Sequence, residues 1–188
     1  MKSIEFFARR IYVRRDESTG DSTMTEEFDC GHALSQAYGA LVPVDPVAVH
    51  TALERAGVTR LYPDFEDWFF GKVVPGMRSG ERCVMTSVID SVLAGVAICK
   101  RTETERKLCT FWVSPHVRGR GVAAELAGEA FDWLGTAKPL FTVPEERYAE
   151  FGGLLRSWSF SKPVRYGELY RPNRLEYVFN GGFGGMAH

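Results

Sequence analysis

The sequence lacks the features that mark secreted, membrane-spanning and metal-binding chains. Its first residues, MKSIEFFARRIYVRR, contain no apolar core of the kind that a signal peptide needs. No stretch approaches about 18 consecutive apolar residues, so no membrane span is predicted. The four cysteines have no metal-ligand spacing, and three of them lie in apolar runs typical of strands. We therefore expect buried thiols in a reducing, cytoplasmic setting and no metal.

Net charge is also nearly absent. The chain has 23 basic and 24 acidic residues, and the formal charge of -1 argues against a non-specific binder of nucleic acids or membrane surfaces. A local basic patch is left open. With 45% hydrophobic and 13% aromatic residues, the 188 residues can bury a core. We predict a single domain over residues 1–180, followed by a flexible glycine-rich tail, GGFGGMAH, over residues 181–188.

The order of predicted elements indicates a mixed α/β fold. A polar loop is expected over residues 15–31, and the Asp90-Ser91 pair predicts a hairpin turn. Strands are predicted over residues 4–14, 82–90, 92–101, 107–114, 138–144, 164–170 and 174–180, and helices over 46–57, from Asp64 onward, from 122 to about 135, and over 145–158. The helix between the strands at 107–114 and 138–144 implies a right-handed crossover between parallel neighbours. The remaining strands are expected to be antiparallel.

Two glycines and two arginines alternate in SPHVRGRGVAAEL, residues 114–126, where an apolar strand gives way to a helix. The first amides of a helix have no intrahelical partners and carry partial positive charge, so they attract anions. Gly119 and Gly121 have no Cβ and allow close approach of a phosphate. Arg118 and Arg120 add charged donors. The pattern favours an anion site.

The same stretch has three other interpretations. The residues from Gly119 to Ala124 satisfy the dinucleotide fingerprint, but Ser114 to Arg118 separate them from the strand, and the acidic residue expected further on is absent. A Walker loop is excluded because no Gly-Lys-Ser/Thr follows. A tight turn with two solvated arginines is the plainest alternative.

The run Val113-x-Pro115-x-x-Arg118-Gly119-x-Gly121-Val122-Ala123 resembles the acyl-CoA-binding signature of the GNAT acyltransferase superfamily, R/Q-x-x-G-x-G/A. The element order from residue 4 to 180 matches that fold. The region from residue 62 to 181 is similar to uncharacterised bacterial members of the superfamily. The resemblance implies a mixed, mostly antiparallel sheet of six to seven strands flanked by helices, with a central parallel pair that splays apart.

The resemblance also implies where CoA binds. Its pyrophosphate would lie on the amides of residues 119–124, and its pantetheine arm along the strand that ends at Val113. The helix that follows would pack on the sheet through Val122, Leu126, Ala130 and Trp133. The residues implied in cofactor binding are Phe111, Trp112, Val113, Arg118, Gly119, Arg120, Gly121, Val122, Ala123 and Ala124.

The catalytic groups are less well defined. Leu155 stands where members of the superfamily commonly carry a tyrosine that serves as the general acid, and Tyr148 is the substitute candidate. No base is identified. Further candidates for the base are Glu103, Glu105 and His116. An acidic and aromatic rim where the acceptor would enter would be formed by Asp64, Glu66, Asp67 and Trp68. The acceptor site could also have a wall of Tyr170, Arg171 and Arg174, which could equally be a hairpin that closes the sheet.

The resemblance implies an acyl-CoA-dependent N-acyltransferase that moves acetyl from acetyl-CoA to a primary amine by direct attack in a ternary complex. The expected acceptor is a small-molecule or peptide amine, with no membrane partner, and a homodimer is left open. One alternative is a CoA-binding regulatory module without catalysis. Another is a member of the superfamily that modifies nucleic acid, which would need a basic groove.

Overall fold

The described part of the chain forms one sheet of eight strands. The computed structural model describes residues 7–12, 41–43 and 45–182, so the loop predicted over residues 15–31 and most of the predicted tail lie outside it. The strands are β1 (Phe7–Tyr12), β2 (Leu41–Pro43), β3 (Arg82–Ile89), β4 (Val92–Arg101), β5 (Arg106–Val113), β6 (Leu140–Pro144), β7 (Val164–Gly167) and β8 (Leu175–Phe179). Their order across the sheet is β2-β1-β3-β4-β5-β6-β8-β7.

The helices flank both faces of this sheet. They are α1 (Pro46–Arg55), α2 (Val58–Leu61), α3 (Phe65–Trp68), α4 (Val74–Ser79), α5 (Val122–Leu134) and α6 (Tyr148–Ser157), and a wider π-turn, Phe69–Val73, joins α3 to α4. Short 3-10 turns precede α5 and α6 at Pro115–Val117 and Glu145–Arg147. Within the part of the chain that is described, no helix combines the length and the apolar character that crossing a bilayer requires.

The strand directions confirm a mixed, mostly antiparallel sheet with a splayed parallel pair at β5 and β6. The sheet has eight strands where six to seven were expected. The prediction that all other neighbours are antiparallel is wrong for β1 and β3, which pair in parallel from Arg9 opposite Met85 onward. The reason is β2, which runs antiparallel to β1 and returns the chain to the end of the sheet at which β1 begins, so that β3 starts from that same end.

Helix α1 begins and ends as its sequence predicts. The Asp45 side chain accepts a hydrogen bond from the Val47 N–H at 2.9 Å, and Pro46 occupies the first turn, where its missing N–H costs nothing. Gly57, with φ of 82°, ends the helical segment. With α3 and α4, this helix covers one face of the sheet around buried Phe69, Val96 and Ile98.

Helix α5 packs on the opposite face through a stripe that differs from the prediction at one position. Val122, Leu126 and Ala130 are buried as expected, but Trp133 is only half-buried. Continuing the four-residue spacing from Ala130 leads to Leu134, which is fully buried and takes the place assigned to Trp133. The Trp133 ring lies under the Arg101 guanidinium, 4.5 Å from its centroid.

A group of aromatic rings fills the space between α5, α6, β5 and β6. The Trp158 ring, just after α6, lies 5.3 Å from Phe111 of β5, 5.4 Å from Phe131 of α5 and 5.9 Å from Phe141 of β6, centroid to centroid. All three pairs have edge-to-face geometry, which is favourable for aromatic rings. We call Trp158 and these three phenylalanines the aromatic wedge.

Candidate active site

A β-bulge opens the sheet between β5 and β6. Ile98 of β4 pairs with Thr110 of β5, but the next residue, Cys99, pairs with Leu108, which leaves Cys109 as the extra residue. β5 and β6 pair only at Lys107 opposite Leu140 and Leu108 opposite Phe141. They separate where the bulge bends β5. The backbone polar groups of β5 beyond Leu108 that point away from β4 therefore face a gap in place of a neighbouring strand.

This gap is part of a cleft of about 1120 Å³. Residues of α1 and α2 line it on one side of the sheet, and the loop before α5 and the first turns of α6 line it on the other. Nine of the ten residues predicted to bind the cofactor lie on its surface; Arg120 does not. The nine are Phe111, Trp112, Val113, Arg118, Gly119, Gly121, Val122, Ala123 and Ala124.

The head of α5 presents a set of unused amides to the cleft. The N–H groups of Gly119, Gly121, Val122 and Ala123 have no backbone acceptor among the described residues. The set is smaller than the predicted run over residues 119–124, because the Arg120 N–H is bonded to the Val117 carbonyl at 3.3 Å and that of Ala124 to the Gly121 carbonyl at 2.9 Å. We call the four unpaired N–H groups the amide cradle.

Left-handed backbone at Gly119 and Gly121 shapes the cradle. Their φ angles are 79° and 81°, in a region that other residues rarely adopt. Among the described residues, apart from each glycine's own chain neighbours, no atom lies within 4 Å of where a Cβ on either glycine would be. The space above both glycines is thus open to a ligand, and a phosphate could contact the amides directly.

Three charged side chains border the cradle. Arg118 Nη2 lies 3.1 Å from Glu150 Oε2 of α6, and Arg147 Nη1 lies 2.7 Å from Glu150 Oε1. The hydrogen bond from Arg147, helped by the Arg118 charge, lowers the pKa of Glu150. Arg147 Nη2 also donates to the Ala56 carbonyl after α1, at 3.4 Å. The ionisable residues on the cleft surface include three arginines, Arg55, Arg118 and Arg147, one histidine, His116, and one carboxylate, Glu150, a balance that suits an anionic ligand.

The predicted general acid lies away from the cleft. Tyr148 begins α6 and stacks on Tyr177 with the ring centroids 4.0 Å apart, and it is not among the residues that line the cleft. Leu155, at the position where members of the superfamily commonly carry a tyrosine, is buried in the core. The role of Tyr148 stays a prediction.

The other acid and base candidates are also dispersed. Asp64, Glu66, Asp67 and Trp68 do not line the described cleft, so no acidic rim forms there. Glu105 forms an ion pair with Lys100 outside it. His116 lines the cleft beside the cradle and is exposed. Within the described residues, no group of three or more histidine, cysteine or acidic side chains is arranged to hold a metal.

The sequence reading missed a buried carboxylate next to the gap. Glu176 of β8 is 1% exposed and pairs across the sheet with Pro144, the last residue of β6. The hydroxyl of Tyr62, a cleft residue, lies 3.4 Å from both Glu176 carboxylate oxygens. Burial, only partly offset by the Arg171 charge, raises the pKa of Glu176 from 4.5 to about 7. The strand pattern gave a signal, because Glu176 shares a face with buried Val178.

The hairpin of β7 and β8 explains why Glu176 has this environment. Arg171 donates both arms of its guanidinium to Glu146, at 2.8 and 2.9 Å, and lowers the pKa of Glu146 to about 2. Its Nη2 remains 3.9 Å from Glu176 Oε1. Arg174 likewise pairs with Glu145 at 3.4 Å. Tyr170, Arg171 and Arg174 are not on the cleft surface, so they close the sheet and form no cleft wall.

Glu176→Gln should flatten the pH dependence of stability. The pKa of the Glu176 carboxyl is about 7 in the folded chain and near 4.5 in the unfolded chain, so the folded chain binds this proton more tightly. The stabilisation of the folded state by this bound proton is complete below about pH 4.5 and is lost as pH rises through about 7. Relative to the variant, the wild-type free energy of unfolding should fall by about 3 kcal/mol over that range, measured by urea unfolding. Parallel curves would contradict this assignment. Glu150→Gln, with a lowered pKa in the wild type, should show the opposite sign.

Comparison with known proteins gives a family match. The model of the "Acetyltransferase (GNAT) family" matches residues 46–142, slightly more than half of the chain. No curated protein sequence matches significantly.

Several solved structures resemble the fold. A GNAT-family protein from Desulfovibrio desulfuricans is 17% identical, with a TM-score of 0.47, over 55% of this chain and 69% of that one. The PaiA N-acetyltransferase of Thermoplasma acidophilum in complex with coenzyme A is 15% identical, with a TM-score of 0.46, over 61% and 74%. The Escherichia coli ribosomal-protein-S18-alanine N-acetyltransferase is 18% identical, with a TM-score of 0.41, over 52% and 70%. At these values the likeness carries no argument about substrate.

Proposed function

The chain belongs to the acetyltransferase (GNAT) family, and from that premise we propose that it transfers acetyl from acetyl-CoA to a primary amine, by direct attack of the amine in a ternary complex. The observation that supports this most directly is the amide cradle at the end of a gap in the sheet. The cradle offers four N–H donors to a diphosphate, and the gap offers the unpaired backbone of β5 to the amide groups of a pantetheine arm. Both features lie on one cleft.

The transfer itself asks for little covalent chemistry from the protein. The amine nitrogen bonds to the thioester carbon, the carbon–sulfur bond breaks, the nitrogen loses a proton and the thiolate gains one. Backbone N–H groups of β5 beyond the Cys109 bulge can stabilise the charge that develops on the thioester oxygen. Holding donor and acceptor in one cleft supplies much of the remaining acceleration.

The function can be tested by mixing the protein with acetyl-CoA and a panel of amines: a polyamine, an amino sugar, a peptide with a free α-amine and a lysine ε-amine. We expect release of free CoA thiol and an acetylated product by mass spectrometry with at least one of them. Calorimetry should show CoA binding. Absence of CoA binding would refute the cradle.

A second candidate is a CoA-binding module without catalysis. It is favoured by the burial of Leu155 and by the position of Tyr148 outside the cleft, which leave no general acid at the predicted place. Tight CoA binding without product from any amine in the panel would favour this candidate over the transferase.

Arg118→Ala should weaken CoA binding only modestly, about three- to tenfold. The Arg118 side chain is 61% exposed, so its charge is screened, and the amide cradle remains. Calorimetry at low and high salt should show most of the loss at low salt. Arg156→Ala, which removes an exposed arginine from the far part of α6, is the matched control and should leave affinity unchanged. A loss above about 100-fold would mean that Arg118, rather than the cradle, holds the phosphate.

A further inference from the structure

We propose that the Tyr62 hydroxyl and the Glu176 carboxylate form a relay that removes the proton from the acceptor amine. This inference rests on the proposed function and supplies the base that the sequence left unidentified. In it, Tyr62 is the residue that contacts the acceptor, and Glu176 acts through Tyr62 as the final proton acceptor.

The position of Tyr62 allows it to contact a substrate. It is the first residue after α2 and lines the cleft on the face of the sheet opposite α5 and α6. Cys109 and Thr110, at the bulge where β5 leaves β6, line the same cleft. A nucleophile approaching the gap from the α1 and α2 side would therefore pass the Tyr62 ring.

Glu176 lies directly behind Tyr62. It is opposite Pro144 on one side and Tyr166 on the other, so its backbone is fixed between two strands at the end of β6. The Tyr62 hydroxyl donates to the carboxylate at 3.4 Å from each oxygen. Glu176 is not on the cleft surface, and the hydroxyl connects it to the cleft.

Within the described part of the chain, Glu176 has only a long ion pair, with Arg171. Arg171 spends its two parallel hydrogen bonds on Glu146 and stays 3.9 Å from Glu176. The remaining titratable or charged groups that face this pocket are Glu146 before α6, Lys107 of β5, Tyr166 of β7, and Tyr170 in the turn. The short hydrogen bonds of Arg171 go to Glu146, so the Tyr62 hydroxyl is the group within hydrogen-bond distance of both Glu176 carboxylate oxygens.

Burial therefore sets the proton affinity of this carboxyl group near neutral pH, which is the range in which a general base works best. Burial also raises the pKa of Tyr62, so the phenol stays protonated and can pass a proton without ionising. Both groups are in the state that a relay requires.

The relay balances in a single step. As the amine nitrogen bonds to the thioester carbon, its proton moves to the Tyr62 oxygen, and the Tyr62 proton moves to a Glu176 oxygen. The carbon–sulfur bond breaks with its electron pair on sulfur. Tyr62 ends unchanged, Glu176 ends protonated, and that proton returns to solvent or to the CoA thiolate.

The test compares Glu176→Gln and Tyr62→Phe with the wild type, using the best amine of the panel and measuring kcat/KM against pH. The wild-type profile should show a rising limb near pH 7, separate from the limb of the amine itself at higher pH. In each variant that limb should be absent, and kcat/KM for the amine should fall by about 10²- to 10⁴-fold. CoA affinity should be unchanged, because neither residue belongs to the cradle. Tyr177→Phe, on the other face of β8, is the control and should keep the limb.

The outcomes separate the relay from the function on which it rests. If the wild type acetylates an amine and both variants keep the limb near pH 7, the relay is wrong and the transferase stands. If the wild type acetylates no amine, both fail. Circular dichroism melting identifies a variant that does not fold, and the other variant then decides the test. If that variant lacks the limb near pH 7, the relay is supported. If it keeps the limb, the relay is wrong.

Discussion

Gly121→Val is expected to reduce CoA affinity at least on the order of 100-fold while leaving a folded protein. The φ of 81° places the valine Cβ in the open space above the cradle, where a phosphate would bind. The side chain would separate the phosphate from several charge-assisted donors, each contributing about 1.5–3 kcal/mol to binding. Each 1.4 kcal/mol of lost binding free energy weakens affinity about tenfold, so losing two such bonds accounts for the predicted effect.

Strain must be separated from obstruction in that experiment. A β-branched residue at positive φ costs about 1–3 kcal/mol wherever it is placed. Gly135 ends the same helix with φ of 68°, and a Cβ there also meets no atom within 4 Å. Gly135→Val should therefore show a similar loss of stability and unchanged CoA affinity by calorimetry. Equal affinity losses in both variants would trace the effect to helix α5 as a whole and refute the cradle.

Leu126→Ala is expected to lower the free energy of unfolding by about 2–5 kcal/mol, the largest stability effect proposed for this chain. Leu126 is fully buried between α5 and the sheet, and its Cδ2 lies 3.2 Å from where a Cβ on Gly95 would be. That glycine lets the head of α5 approach β4 closely. Removing three carbons would leave a cavity that the strands cannot close.

A second substitution in the same helix serves as the control for Leu126→Ala. Gly128 is exposed, and a Cβ there meets no atom within 4 Å. Gly128→Ala should raise helix propensity and stabilise the protein by about 0.5–1 kcal/mol. Urea unfolding measures both variants, and CoA affinity at a temperature where both are folded should stay within a few-fold of wild type. A destabilisation by Leu126→Ala below about 1 kcal/mol would mean that α5 is loosely packed.

The elements and the cradle were predictable because their signals are local. Pro46, Gly57 and the Asp90-Ser91 pair mark boundaries through backbone preferences that act within a few residues. The glycine-arginine run marks the head of α5 in the same way. Arg118 and Arg120 were both predicted to bind the cofactor, but only Arg118 is on the cleft surface. A sequence pattern does not show which way a loop residue faces.

Features that depend on two distant segments were not predictable in this way. The bulge at Cys109 is a mismatch in register between β4 and β5, and neither strand shows it alone. The parallel pairing of β1 with β3 depends on β2, which returns the chain by pairing antiparallel with β1, a strand distant from it in sequence. Glu176 was predictable in part. The alternation along β8 indicates that its side chain is on the buried face, but its contact with Tyr62 joins residues 114 positions apart.

The aromatic wedge lies where β5 and β6 share few backbone hydrogen bonds. Along the described strands, β5 and β6 share two paired positions, so hardly any hydrogen-bond ladder fixes the distance between them. Beyond those two positions, the edge-to-face ring contacts of Trp158 with Phe111 of β5 and Phe141 of β6 connect the two strands. A bulky acyl chain that enters the gap would therefore meet aromatic side chains and would have few backbone hydrogen bonds between β5 and β6 to break.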